Sequence, residues 1–346
     1  MSTYSEIIKK NKTIFLPDIG TFFNQDISKA LNVIEKLSEL DIPIIKAEIL
    51  HDKNICLETK LNESYYSNKK KKFINENYRK LIERKVISLK DYARIFTSIK
   101  DQKKDAIVSV YDFKGADFAI DFDMVALKIA SSNITHKPLI EYVAKTDKPI
   151  LLDTGHSSLE EISRAINWIN DLGRNDITIL HSPLGPPSDI SEHNLNFMKT
   201  LGGSFGLPYG LSDHHIGNEM LFAATAMGAS VVEKGVCEDS LGDEQDRSHA
   251  INLSSVNDVV KNISNISHAM GNGIRSLPRN REKYISRMGL IANKDLKIGN
   301  KIYKKDIAYA FPVVGIPVED IDQIISKQIK RNISKGSPIY YHDIEC

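Results

Sequence analysis

Residues Gly210–Lys234, GLSDHHIGNEMLFAATAMGASVVEK, hold one complete structural unit. The polar cluster Ser212-Asp213-His214-His215 closes a short apolar run, Asn218–Met227 has helical spacing, and Ser230-Val-Val232 is a second buried strand ending on Glu233 and Lys234. Two parallel strands cannot be joined by a tight turn and need a crossover, usually a helix. The stretch therefore predicts a βαβ unit, with chemistry-bearing residues at the strand ends.

Working outward, the same unit recurs. A parallel strand buried on both faces shows a continuous apolar run rather than alternation. Such runs are Ile14-Phe-Leu-Pro17, Ile42-Pro-Ile-Ile45, Ala106-Ile-Val-Ser109, Met124-Val-Ala-Leu127, Pro149-Ile-Leu-Leu152, Ile177-Thr-Ile-Leu180, Leu207-Pro-Tyr-Gly-Leu211 and Ser230-Val-Val232. Helical patterns separate or follow them at Asp26–Leu40, Leu89–Ile99, Lys114–Ile120, Pro138–Ala144, Leu159–Leu172, Glu192–Leu201, Asn218–Met227 and Val256–Met270. Ser158 with Glu161 is a capping box opening one of them. Eight such units in about 270 residues predict a (β/α)8 TIM barrel. A doubly wound sheet is the rival, but the first strand is followed by DIGTFFNQD, without a glycine-rich dinucleotide turn.

The predicted layout is a barrel over 1–272, a polar basic linker over 273–287 and a small C-terminal domain over 288–346. At about 60 residues the last needs packing support to be stable. His51–Lys85 is longer than an ordinary βα loop and carries Lys69–Lys72 among tyrosines. It reads either as a basic lid attracting an anion or as a solvated excursion, the commoner fate of a charge run.

Lys plus Arg is 46 against 45 for Asp plus Glu, so no global field recruits nucleic acid or an anionic membrane. No stretch has the length of a membrane span, and MSTYSEIIKKNK has no signal-peptide core, so the cytoplasm is the expected compartment. Cys56, Cys237 and Cys346 have no ligand-like spacing and fit a reducing environment.

In a (β/α)8 barrel the active site stands where the strands end. The closing residues here are Asp18, Lys46, Ser109, Lys128 with Ser131, Asp153 with Thr154, His181 with Ser182, Ser212-Asp213-His214, and Glu233-Lys234. Lys46, Lys128 and Lys234, converging, would repel strongly unless an anion or carboxylates stood between them. Asp18, Asp153, Asp213 and Glu233 are the carboxylates available. The functional reading is a site for a small multiply charged anion such as a phosphate ester; the other is a self-contained charge network. His214 and His215 are adjacent and point apart, and no H-x-H or H-E-x-x-H spacing marks a metal site.

Leu127-Lys-Ile-Ala-Ser131, Leu152-Asp-Thr-Gly155, Gly210-Leu-Ser-Asp-His214, Gly228-Ala-Ser-Val-Val-Glu-Lys234 and Leu290-Ile-Ala-Asn-Lys-Asp-Leu-Lys-Ile-Gly299, in this order and spacing, resemble the sialic acid synthase family. That family includes the legionaminic and pseudaminic acid synthases and the spore-coat polysaccharide synthase. The last motif resembles the start of its antifreeze-like (SAF) C-terminal domain. The resemblance spans nearly the whole chain. It implies condensation of phosphoenolpyruvate with the open aldehyde form of an N-acetylated amino sugar, giving a nonulosonic acid and phosphate. It implies a divalent metal, Mn or Mg, that orients the aldehyde, and a homodimer in which each C-terminal domain covers the partner's barrel mouth. By the same likeness Lys46, Ser109, Lys128, Ser131 and Ser212 hold phosphoenolpyruvate, and the strand-end residues Asp153 and Thr154 complete the candidate substrate-binding set. Asp18 matches a family glutamate near the sugar and His214 one metal-binding histidine; the strand-end reading adds Asp213, Glu233 and Lys234 to Asp18 as catalytic candidates and His215 to His214 as a metal candidate.

The departures are local. Gly235 stands where the family has its second metal histidine, and Asn133 follows Ser131-Ser132 where the family has a glutamate. Pro183-Leu-Gly-Pro186 replaces an asparagine and a tyrosine, Phe311 replaces the arginine sent into the partner's site, and Asp153 replaces a serine. Two readings follow: an active synthase with altered sugar specificity, in which His215, His249 or Asp246 substitutes for the missing ligand, or a member that keeps an anion pocket as a binding or partner subunit. A phosphoenolpyruvate-dependent aldose-phosphate synthase on the same barrel would need a second phosphate site, for which Lys69–Lys72 is the sole candidate. Such enzymes lack the C-terminal domain.

Overall fold

The computed structural model describes residues 4–10, 12–67, 70–183, 188–242, 245–275 and 286–345. The predicted linker lies mostly outside the described residues, as do Lys69, Leu184–Pro186 and Cys346. The chain divides into two compact units, Met1–Gly271 and Asn272–Cys346.

In the first unit, α1 (Tyr4–Lys10) precedes β1 (Ile14–Asp18), α2 (Ile27–Ser38) and β2 (Ile44–Glu48). An excursion follows, comprising β3 (Asn62–Ser67), β4 (Lys72–Asn77) and α3 (Tyr78–Glu83). Then come α4 (Leu89–Asp101), β5 (Asp105–Val110), α5 (Phe113–Asp121), β6 (Ala126–Ile129), α6 (Lys137–Ala144), β7 (Ile150–Asp153) and α7 (Leu159–Asn170). The unit continues through β8 (Ile177–His181), α8 (Asn196–Phe205), β9 (Tyr209–Ser212), α9 (Glu219–Ala226), β10 (Val231–Cys237), β11 (Ile251–Asn252) and α10 (Val256–Ala269). Strands β1, β2, β5, β6, β7, β8, β9 and β10 pair in parallel in that order, and β10 returns to β1 with Ile14 opposite Val231 and Asp18 opposite Gly235. The expected (β/α)8 barrel is therefore closed.

Each predicted run lies in or overlaps a barrel strand, because burial on both faces leaves no polar residue to interrupt it. Along a strand, successive side chains alternate between the two faces. Ile14, Leu16, Ile44, Ile107, Ala126, Leu151, Leu180 and Val231 pack together with Tyr4 and Ile7 of α1 and fill the barrel. Phe15, Ile45, Val108, Leu127, Leu152, Ile179 and Val232, each next to one of those in sequence, face the helices. The helices start where side-chain acceptors satisfy free N–H groups: Asp26 for α2, Ser88 for α4, Asp112 for α5, and the reciprocal Ser158–Glu161 box for α7. No helix among the described residues is long and apolar enough to cross a membrane.

The excursion folds as an antiparallel hairpin, from Asn62 opposite Asn77 to Ser67 opposite Lys72. Lys70, Lys71 and Lys72 at its tip are exposed. At its base Lys85 Nζ pairs with Asp246 Oδ2 at 3.0 Å, tying the excursion to the segment after β10.

The second unit pairs β12 (Gly289–Ala292) with β13 (Ile307–Ala310). Its core is aliphatic: Leu290, Leu296, Ile302, Ile307, Ile316, Ile324, Ile329, Ile333, Ile339 and Ile344. Two halves repeat. Leu296–Ile307 and Ile333–Ile344 share the frame Gly, Ile-Tyr, Asp-Ile, and Tyr303 with Asp306 and Tyr340 with Asp343 build matching reciprocal caps. Gly299 and Gly336 both adopt left-handed backbone, at φ 82 and 81, where a side chain would be strained. Leu296 and Ile333 exchange backbone hydrogen bonds at the centre of this repeat.

Candidate active site at the barrel mouth

The alternation that fills the barrel also selects the site. Two residues beyond Leu16, Ile44, Ile107, Ala126, Leu151 and Val231 stand Asp18, Lys46, Ser109, Lys128, Asp153 and Glu233, and each is buried. Ser212 joins them from β9 and Ser182 from the end of β8. These strands thus place polar groups in one layer above an apolar plug.

Within that layer Lys128 Nζ lies 2.6 Å from Glu233 Oε1, 2.9 Å from Asp153 Oδ2 and 3.3 Å from Ser212 Oγ. Lys46 Nζ lies 2.5 Å from Asp18 Oδ2, 3.3 Å from Glu48 Oε1 and 3.4 Å from Glu233 Oε1. Glu233 is the hub: burial opposes its charge, but Lys128 and Lys46 hold its carboxyl down to about 2. Asp18 behaves oppositely. Burial pushes it up to about 7, helped by Glu48 and Glu233 and resisted by Lys46. Two ammonium groups thus share four carboxylates.

The third lysine also borders the cleft, but its ammonium is taken up by the loop after β9. Lys234 and Asp213 fall on the opposite phase of their strands from Glu233 and Ser212. Lys234 Nζ donates to Asp213 Oδ2 at 2.5 Å and to the carbonyls of His215 and Gly217 at 2.7 and 2.5 Å. An ammonium has three donors, and all are used to hold the loop between β9 and α9. His193 Nε2 stands 3.5 Å from the other Asp213 oxygen. His181 is likewise out of phase; its Nε2 meets the His193 carbonyl at 2.7 Å and its ring packs on Phe197. Thr154 donates to the Leu180 carbonyl at 3.0 Å. Ser131 is half-buried, close to Gly155, where an added Cβ would meet its side chain at 3.2 Å.

His214 and His215 do not form a pair. His215 Nε2 reaches Glu219 Oε1 at 2.9 Å and its ring packs edge-on against His193. His214 meets Ser182 Oγ at 3.3 Å and instead faces His249, with ring centroids 5.0 Å apart. Burial and the neighbouring His214 push His249 down to about 3, so its imidazole is neutral, and its Nδ1 has no partner among the described residues. Asp246 lies beside them; burial opposes its charge, and Lys85 with His249 holds it down to about 2. At Gly235 an added Cβ would stand 2.5 Å from Phe22 Cζ, so the ring of Phe22 fills the space that a side chain there would need. Among the described residues no group of three His, Cys, Asp or Glu side chains converges as a metal site. A divalent ion held by His214 and His215 does not fit this arrangement.

Asp18, Glu48, Ser212, Asp213, Glu233 and Lys234, with His214, Asp246 and His249, are among the residues lining one cleft of about 110 Å³. Thr154, His156, Ser157, His181, Ser182 and Phe197 are among the residues lining a second, wider cavity of about 660 Å³. Two polar atoms of the charged layer are buried without partners among the described residues: Ser109 Oγ and Glu233 Oε2. A buried unsatisfied donor or acceptor is costly, and such atoms in a cleft are places for a ligand's complementary groups. Glu48 was not among the expected residues, although its phase is that of Lys46 two positions earlier. Phe22 left no signal at all, since its role depends on a contact between β10 and the loop after β1.

The NeuB family model matches residues 33–275 and the SAF domain model residues 287–345. The N,N'-diacetyllegionaminic acid synthase of Campylobacter jejuni is 28% identical over 332 residues, covering 95% of this chain and 99% of its own. The pseudaminic acid synthase of Helicobacter pylori is 26% identical, covering 95% and 96%. Among solved structures, an N-acetylneuraminic acid synthetase from Leptospira borgpetersenii, in complex with citrate, superposes with a TM-score of 0.67 at 20% identity, covering 78% of this chain and 89% of its own.

Proposed function

Because the chain belongs to the NeuB family, we propose that it condenses phosphoenolpyruvate with an N-acetylated amino-sugar aldehyde, giving a nonulosonic acid and phosphate. The observation that carries this reading is the buried Lys46–Glu233–Lys128 bridge beside the unpartnered Ser109 hydroxyl. Lysines are suited to a phosphate or carboxylate as point charges. Ser109, Ser131 and Ser212 supply hydroxyls around them.

The donor set around His214 does not match the divalent metal that the resemblance implies, and the steps assigned here use the chain's own residues. The enol carbon C3 of phosphoenolpyruvate attacks the aldehyde carbon, forming the new C–C bond while the aldehyde oxygen takes up a proton. Asp18, part-protonated near neutrality, is the group poised to give it. The cation left at C2 is stabilised by the ionised Glu233; water adds to it and yields a proton to the Asp18 carboxylate, and the C2–O bond to phosphate breaks, the phosphate taking the remaining hydroxyl proton, to leave the keto acid. The barrel over 1–272 performs this chemistry, in a cytoplasmic homodimer whose C-terminal domain, 288–346, covers the partner's mouth across the 273–287 linker. Exposed Ile298, Tyr309, Phe311 and Val314 on that domain support an apolar contact of this kind.

Phosphate release by the purified protein should require both phosphoenolpyruvate and an amino-sugar aldehyde. The Phe22 ring over Gly235 favours a second reading, a family member that binds an anion without turning it over. Anion binding without phosphate release across N-acetyl and di-N-acetyl hexosamines would select it. Light scattering that finds only monomer would remove the domain exchange.

A further inference from the structure

The inference concerns Asp153 and rests on the anion-site reading of Lys128. Lys128 donates to Glu233 and Ser212 and forms an ion pair with Asp153 at 2.9 Å, so an incoming anion meets an ammonium already in contact with three partners. One partner must yield. Glu233 is also bound by Ser212 and faces Lys46, so its displacement would leave two lysines short of a partner. Ser212 is neutral and does not compete for charge. Among the described residues Asp153 has Lys128 as its only ion-pair partner and is otherwise held by the Gly155 N–H at 3.2 Å. It ends β7, where the chain turns into a loop in which His156 adopts φ 56.

We infer that Asp153 is a built-in counter-anion that occupies the anion place on Lys128 and sets how tightly, and for what charge, the mouth binds its substrate. A carboxylate fixed at that place repels a second anion at a few ångströms, where screening by water is weak. The consequence is a site of low affinity for free phosphate that admits an anion only when the rest of the ligand adds contacts, for example to Ser109 Oγ and Glu233 Oε2.

The test is calorimetric titration of the whole protein with inorganic phosphate and, separately, with phosphoenolpyruvate. Asp153→Asn keeps the shape and removes the charge, Asp153→Ser removes both, and Asp171→Asn, an exposed acid on α7's far end, controls for net charge. The expected result is at least tenfold tighter binding of both anions by Asp153→Asn and Asp153→Ser, with Asp171→Asn unchanged. Phosphate should also raise the melting temperature of the Asp153 variants more than that of the wild type, since a ligand stabilises in proportion to its affinity. Equal affinities in wild type and folded Asp153 variants would overturn this inference and leave the proposed reaction standing. Absence of anion binding in every folded variant would overturn both.

Discussion

Phe22 and Gly235 fit together as a pair: the ring stands where a Cβ on residue 235 would be, at 2.5 Å from Cζ. Strand β10 and the loop after β1 can approach this closely only while position 235 has no side chain. The contact also joins the loop to a small apolar cluster of Phe22, Cys237 and Leu241.

Gly235→Ala is expected to cost about 1–3 kcal/mol, the usual range for forcing extra volume into a packed site. In a Phe22→Ala background the added cost should fall below about 1 kcal/mol, because the methyl then enters vacated space. Urea unfolding of the four proteins measures both. Additive costs would show that the ring is not the obstacle.

Lys128→Met removes the common partner of Asp153 and Glu233 while their carboxylates stay buried. Loss of one member of a buried ion pair costs about 3–5 kcal/mol. The folded variant should bind phosphoenolpyruvate at least tenfold more weakly, on the order of 1.4 kcal/mol or more. Unchanged affinity by calorimetry would place the anion elsewhere.

Asp18 predicts a pH dependence. Burial raises its folded value to about 7, above the ordinary carboxylate value near 4, so between these limits the folded protein binds more protons than the unfolded chain. Its contribution is therefore most favourable at low pH and is lost as pH rises to about 7. Relative to Asp18→Asn, the wild type should lose about 2 kcal/mol between pH 5 and 8. Glu233 and Asp246, held down to about 2, act in the opposite sense, and their contribution disappears only as pH falls from about 4.5 toward 2. Parallel stability curves for wild type and Asp18→Asn would refute the assignment.

Lys234 predicts a separation of stability from binding. Lys234→Met leaves Asp213 buried beside His193 and releases the loop carbonyls of His215 and Gly217. A loss of about 3–5 kcal/mol is expected. Phosphate affinity of the folded variant should stay within about threefold of the wild type. A larger fall would return Lys234 to the anion site.

The eight strands, the helices between them and the small second domain were readable along the chain. Strands buried on both faces must be continuously apolar, and the helical spacing between them admits little but a parallel crossover. Asp18, Lys46, Ser109, Lys128, Asp153, Ser212 and Glu233 were readable too, as the polar residues that close those runs. Their neighbours Asp213, Lys234 and His181 were readable in the same way, but a linear reading sees that a strand ends in polar residues and not which phase of the strand faces the barrel axis. Side chains one position apart point to opposite faces, so this choice decides whether a lysine meets substrate or ties down a loop. Only closure of β10 onto β1 sets the phase of all eight strands together. That closure brings Lys46 to Glu233 and Phe22 to Gly235, contacts between positions too distant in the chain for any local pattern to encode.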